Sequence, residues 1–206
     1  MPVIIDDIEQ GTSSWFALRL GIPSGSNFDK IVTMKGVPTK QREKYLYQLA
    51  GELLLGEKEE THATPAMLRG TLLEGEARKY YEFDENIDVI QVGFIFVDDT
   101  RRFGISPDGL VGKNGLVEIK CPSLAVHLKY LDKGILPSAY FQQVQGQILV
   151  SGREWVDFFS YFPHENIPNF KLRVYRDDDF IGKLWSELDI FVEELGNLVE
   201  KLKLLQ

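Results

Sequence analysis

Apolar positions in this chain recur in two rhythms, and the switch between them divides the sequence into helical and extended stretches. From Leu116 to Lys120 the rhythm is two, so Val117 and Ile119 point to one side of a strand while Glu118 and Lys120 point to the other. Elsewhere it is the three-to-four spacing of helices. Thr12-Ser13-Ser14 caps a segment carrying Trp15, Phe16, Leu18 and Leu20, which Gly21 ends. Pro23-Ser24-Gly25-Ser26 opens a second helix with Phe28, Ile31 and Val32, and residues 40–55 form a third with Leu46, Leu49 and Leu53 on one face. Thr64-Pro65 begins a fourth, since proline suits a first helical turn. Strands are predicted over 89–97 and 102–106, followed by a hairpin that reverses at Lys113-Asn114-Gly115. Helices over 123–132 and from Pro137-Ser138 to Gly152 come next. In the latter, Phe141, Val144 and Ile148 make a packing face, and Tyr140, Gln143 and Gln147 line another. A strand over 155–162, an edge strand over 172–175 and a helix from Asp179 close the chain. The sum is an α/β fold, a sheet covered by helices on both sides, in a single domain spanning residues 1–206.

Composition narrows the function. A chain of 206 residues with 44% hydrophobic content can bury one substantial core. No apolar run approaches the roughly eighteen residues of a membrane span, and the start, MPVIIDDIEQ, has no basic segment leading an apolar one, which points to the cytoplasm. The single Cys121 excludes an internal disulfide and reads as a small buried hydrophobe, and three scattered histidines offer no zinc cluster. A net charge of −8 excludes whole-surface attraction to nucleic acid and requires a local basic patch if DNA is the substrate. Between Arg19 and Lys44 six basic residues stand against two acidic ones, and from Asp177 onward eight acidic residues stand against three lysines. On that basis one end of the molecule can meet phosphates and the other cannot.

The candidate chemistry lies between Ile105 and Pro122, ISPDGLVGKNGLVEIKCP. Folding the hairpin back sets Asp108 alongside Glu118, with Lys120 on the same face. A pair of carboxylates suits a hard divalent cation, which takes oxygen ligands, polarises a phosphoryl oxygen and lowers the pKa of bound water. The Asp/Glu-x-Lys spacing alone arises by chance about once in a chain this long, so a solvated hairpin face is the competing reading. In the fourth helix Gly70, Glu74 and Arg78 share a face, where Glu74 either reaches the same centre or faces solvent. Arg19 and Ser26, beside the N-terminus of the second helix, could hold a terminal phosphate.

Pro107-Asp108 with Glu118-Ile119-Lys120 resembles the PD-(D/E)xK signature of the restriction-endonuclease-like nucleases. The wider set RLGIPSGS, RGTLLE, SPDG, EIKCP and AYFQQVQ, in that order from Arg19 to Gln145, is similar to the phage lambda exonuclease or YqaJ-type viral recombinase family. The resemblance implies a restriction-endonuclease-like mixed sheet flanked by helices, with a helical N-terminal part and a C-terminal helix. It implies a Mg²⁺-dependent 5′-to-3′ exonuclease on linear double-stranded DNA that releases mononucleotides and leaves a 3′ overhang. Mn²⁺ would substitute, and two ions would bind. By position, Asp108, Glu118 and the Ile119 carbonyl would hold metal, Glu74 would assist at a second ion, Lys120 would activate water and Gln143 would support the site. Arg19 and Ser26 would receive the 5′ phosphate, and Lys35, Lys40 and Arg42 would touch DNA more loosely. Such proteins form ring-shaped homotrimers and work with a phage single-strand annealing protein. Leu184, Leu188, Phe191, Leu195, Leu198 and Leu202 follow an a/d spacing in the last helix, which either packs on its own core or contributes to assembly, with an acidic outer face left for a partner.

Overall fold

A computed structural model describes residues 1–58 and 64–205. Its elements are β1 (Val3–Ile5), α1 (Ser13–Leu18), α2 (Phe28–Ile31), α3 (Arg42–Leu55), α4 (Pro65–Glu85), β2 (Val89–Ile90), β3 (Phe94–Phe96), β4 (Gly104–Ile105), β5 (Gly109–Val111), β6 (Gly115–Lys120), α5 (Leu124–Lys133), α6 (Phe141–Ser151), β7 (Trp155–Ser160), β8 (Phe170–Tyr175) and α7 (Asp178–Lys203). Short 3-10 turns lead into α2 and α6. One sheet has the order β2-β5-β6-β7-β8 and a smaller one β1-β3-β4. Among the described strands only β6 and β7 run parallel, with α5 and α6 in the crossover between them; every other pair is antiparallel. This is the mixed sheet flanked by helices that the sequence implies.

The two-residue rhythm of β6 decides what each face of the sheet carries. Leu116 joins the main core with Val144 and Ile148 of α6, Tyr45 and Leu49 of α3, and Leu184, Leu188 and Phe191 of α7. Val117 and Ile119 join a second core with Ala77 and Tyr81 of α4 and Phe159 of β7. Glu118, between them in sequence, is therefore pushed into the α6 side of a tightly packed sheet. On the α4 side, fully buried Asp157 accepts from Tyr81 Oη at 2.7 Å and from Nε and Nη2 of Arg173, both at 2.8 Å, which satisfies its charge within the protein.

Two glycines are needed for close approach. A Cβ on Gly109 would lie 2.0 Å from Val89 Cγ1, and one on Gly146 would lie 2.4 Å from the Phe28 ring. Gly109 thus lets β2 cover the strand that follows Asp108, and Gly146 lets α6 press against the start of the chain.

Several boundaries differ from those predicted. The run over 89–97 breaks into β2 and β3, which belong to different sheets. The break falls at Gly93, whose N–H donates to the Ile5 carbonyl at 2.8 Å and whose missing Cβ leaves room for the Ile8 carbonyl. The hairpin reverses one residue earlier than read: Gly112 takes the left-handed conformation at φ +53°, and Gly115 already begins β6. The strand over 102–106 contracts to β4, and that over 155–162 ends at Ser160. α2 is a single turn, and Val32 is extended, bridging Pro38. Leu53 stays exposed, because α3 buries Tyr45, Leu49, Ala50 and Glu52 instead. The a/d residues of α7 up to Leu195 are buried in the chain's own core, so that row is not a free seam. No helix among the described residues is long and apolar enough to cross a membrane.

Candidate active site

Asp108 and Glu118 meet because of the hairpin register. Gly109 pairs with Val117, Leu110 with Leu116 and Val111 with Gly115, so the next position out sets Asp108 against Glu118. Asp108 Oδ2 accepts the Ile119 N–H at 2.6 Å. Ile119 thus holds Asp108 through its amide N–H, a group separate from the carbonyl expected to serve as a metal ligand. The preceding Pro107 is fixed through its own carbonyl, which accepts from Gln10 Nε2 at 2.9 Å.

Glu118 is buried and saturated with donors. Its Oε1 accepts from Lys120 Nζ at 2.5 Å and Gln143 Nε2 at 2.7 Å, and its Oε2 from Gln147 Nε2 at 2.5 Å. The two glutamines stand four residues apart on α6, one above the other on the face that meets β6. Gln143 belongs to the expected site; Gln147 completes it, and its signal was the helical spacing from Gln143. Lys120 also lies 4.8 Å above the Tyr140 ring.

Burial, followed by the charge of Glu118, pushes the Asp108 carboxyl well above the usual carboxylate range; Glu74 adds to the rise, while Lys120 and the Ile119 N–H oppose it. Burial works against the Lys120 ammonium, yet Glu118 and Asp108 outweigh it and raise its pKa. Glu74, on the exposed side of the cluster, is held by Arg78 at 2.5 Å, and Arg78 Nε in turn donates to the Asp108 carbonyl at 3.3 Å.

Among the described residues no three His, Cys, Asp or Glu side chains converge as a ready-made ligand cage. The donor chemistry nevertheless fits a hard divalent cation. Asp108, Glu118 and Glu74 supply oxygen ligands, and the mutual repulsion that lifts Asp108 is what a bound dication relieves. Arg78 would leave Glu74 and Lys120 would leave Glu118 as it entered, while Gln143 and Gln147 keep their hold on Glu118.

Arg19 lies in a second cavity, lined also by Phe16, Ser24, Asn27, Tyr45 and Glu52. Its guanidinium stacks on Trp15 with Cζ 3.9 Å from the ring centroid, Nη2 donates to Ser24 Oγ at 3.3 Å, and buried Nε has no partner among the described residues. Burial lowers its pKa to about 10, opposed by Tyr45 and Glu52, so it remains charged near neutrality. Ser24, rather than the exposed Ser26, is its direct partner; Asn27 Nδ2 bridges the two hydroxyls at 3.1 and 3.4 Å. One-turn α2 is too short to lend a helix dipole, so affinity for an anion rests on Arg19. Trp15 Nε1 donates to Ser106 Oγ at 3.1 Å and the Gly93 carbonyl at 2.8 Å, tying this cavity to the strand that delivers Asp108.

The basic segment divides. Lys35 and Lys40 are exposed, whereas Arg42 is taken up by α7, with Nη1 3.1 Å from Glu187 and Nη2 3.0 Å from Glu194. Arg102 is likewise paired with Asp189. The basic and acidic regions therefore touch instead of lying at opposite ends, a contact across more than 140 residues that local charge counts do not register. Cys121 is buried, and burial raises its thiol to about 11, in keeping with a packing role.

The YqaJ-like viral recombinase domain profile matches residues 14–154. An alkaline exonuclease, LHK-Exo, from Laribacter hongkongensis is 36% identical, with a TM-score of 0.85 over 93% of this chain and 96% of that one. The same enzyme in complex with dAMP superposes with a TM-score of 0.84 over the same shares at the same identity. A phage-related exonuclease from Haemophilus somnus 129PT, at 14% identity, shares the fold with a TM-score of 0.66 over 88% of this chain and 96% of that one. No curated protein sequence gave a match. With its profile match spanning most of the chain and enclosing Arg19, Asp108, Glu118, Lys120 and both α6 glutamines, this protein belongs to the YqaJ-like viral recombinase family.

Proposed function

We propose that this protein is a metal-dependent exonuclease that degrades one strand of linear double-stranded DNA from 5′ to 3′, releasing mononucleotides and leaving a 3′ overhang for strand annealing. The observation that carries the reading is the convergence of Asp108, Glu118 and Lys120, braced by Gln143 and Gln147, in a chain 36% identical over nearly its whole length to an alkaline exonuclease. That relative has been crystallised with dAMP, a deoxynucleoside monophosphate, and a product of that class suits the reaction proposed here.

Asp108, Glu118 and Glu74 are the ligands we assign to Mg²⁺ or Mn²⁺, with the Ile119 carbonyl completing the set and a second ion on the Glu74 side. When bound, such ions polarise the scissile phosphate and lower the pKa of the attacking water. The protein's own groups do the rest. Lys120, whose proton is held by the neighbouring carboxylates, donates to the nucleophile or the phosphate and offsets charge in the transition state. Gln143 and Gln147 fix the Glu118 carboxylate so that little reorganisation is needed during reaction. Arg19, with an unpartnered Nε and a face backed by Trp15, receives the 5′ phosphate and sets which strand is cut. Exposed Lys35 and Lys40 lie outside this cluster and suit duplex phosphates. The working form we propose is a homotrimer in the bacterial cytoplasm, partnered by a phage single-strand annealing protein.

The test is digestion of a linear duplex labelled separately at each 5′ and 3′ end, with Mg²⁺, Mn²⁺ or EDTA, beside a covalently closed circle. Early release of 5′-terminal mononucleotides, no loss of the circle and silence in EDTA are the results expected. Cutting of the circle would favour an endonuclease of the same fold, and early loss of the 3′ label would reverse the polarity.

A further inference from the structure

The cavity that holds Arg19 also contains a buried carboxylate for which the catalytic scheme has no use. Glu52 of α3 is 6% exposed and lines the same small, partly open cavity, about 30 Å³, as Arg19, Ser24 and Asn27. Its Oε2 accepts the Gly21 N–H at 3.1 Å and its Oε1 accepts from Gln48 Nε2 at 3.1 Å. Among the described residues Arg19 makes no ion pair, and Glu52 attracts it through space without touching it. Gly21 stands two residues beyond Arg19 at φ +66°, against the Leu53 side chain, so the bond to Glu52 pins the turn that carries the arginine.

A neutral glutamine could still accept the Gly21 N–H, with the Gln48 amide turned to face it, and a buried charge costs more than a buried amide. The charge itself is what needs explaining. An anion entering this cavity gains from Arg19 and is repelled by Glu52; both terms grow with the ligand's charge, so Glu52 offsets what each added charge would gain from Arg19. We infer that Glu52 is a specificity-determining and positioning residue of the end-binding cavity, holding the Arg19 turn in place while its charge limits how tightly the cavity grips a terminal phosphate and denies more highly charged ends an added gain. A moderated grip suits an exonuclease, because each cycle creates a new 5′ phosphate that must enter the same place. The inference rests on reading Arg19 as the 5′-phosphate residue.

The test measures equilibrium binding in EDTA, where no strand is cut, of otherwise identical duplexes carrying a 5′ hydroxyl, a 5′ monophosphate or a 5′ triphosphate. For the wild type, the monophosphate should bind tighter than the hydroxyl, and the triphosphate should gain nothing over the monophosphate. In Glu52→Gln, which keeps an acceptor for Gly21, preference for monophosphate over hydroxyl should rise by about three- to tenfold, and the triphosphate should overtake the monophosphate. Equal binding of hydroxyl and monophosphate by the wild type would reject the phosphate role of Arg19 itself. A normal wild-type preference that Glu52→Gln leaves unchanged or lowers overturns the role of Glu52 while Arg19 keeps its own. Tighter triphosphate binding by the wild type overturns it too, without relying on any variant to fold.

Discussion

Two polar sites sit on this scaffold, and they are finished to different degrees. Around Glu118 every carboxylate oxygen has a donor, three in all, from a strand and a helix locked in the main core, and the one loose end is Gln147 Oε1, an acceptor without a partner among the described residues. Around Arg19 the guanidinium has one hydroxyl partner, two aromatic rings and a buried Nε with nothing to bind. Buried polar groups are normally paired, so an unpaired donor in a cavity marks a place where a ligand supplies the missing acceptor. On the function proposed above, the first site is held rigid for chemistry and the second is open for an anion.

The largest effect should come from neutralising the first site. Asp108→Asn should lower hydrolysis by at least about a thousandfold, since it weakens an oxygen ligand where charge stabilisation dominates the rate. The same variant should melt higher than the wild type in metal-free buffer at pH 8. Because the folded-state pKa of Asp108 lies above its unfolded value, stability falls as pH rises between the two, and asparagine removes that loss. Melting curves in EDTA from pH 5 to 8 should show the wild type losing ground to the variant as pH increases. A variant that melts lower throughout would contradict the strain assigned to Asp108.

Next in size is the second site. Arg19→Ala should remove a charge-assisted contact of about 1.5–3 kcal/mol and bring the rates on 5′-phosphoryl and 5′-hydroxyl duplexes together. Rates that keep their wild-type ratio would place the phosphate elsewhere. Gln147→Ala should cost about 1–3 kcal/mol of stability, because it leaves Glu118 Oε2 buried without its donor. A denaturant midpoint equal to the wild type would mean water replaces the amide. Arg42→Ala should cost more stability than duplex affinity, since its charge is spent on Glu187 and Glu194; a fall in affinity with unchanged stability would return it to the DNA surface. The smallest readout is Cys121. With its thiol raised to about 11 from 9.0, native protein at pH 8 should be alkylated about a hundredfold more slowly than unfolded protein.

The contrast also explains what could be read in advance. Asp108 and Glu118 lie ten residues apart on one hairpin, so strand periodicity and a turn signal are enough to pair them. Gln143 and Gln147 share a face by helical spacing alone. The Arg19 cavity joins Ser24 to Tyr45 and Glu52 of α3, and nothing in the spacing of a leucine-rich helix sets Glu52 apart as its buried polar member. Arg42 misleads for the same reason: a basic cluster in sequence becomes an internal ion pair once α7 packs across α3. The break of 89–97 into two sheets depends on the Ile5 and Ile8 carbonyls reaching Gly93, which no local pattern records.

The most direct test of the central claim is a Mn²⁺ titration of the DNA-free protein, followed by loss of the free-ion electron paramagnetic resonance signal. The wild type should remove Mn²⁺ from solution in a saturable way, Glu118→Gln and Asp108→Asn should bind far less, and Arg19→Ala should match the wild type. Equal binding by wild type, Glu118→Gln and Asp108→Asn would contradict the assignment of these carboxylates as the metal centre.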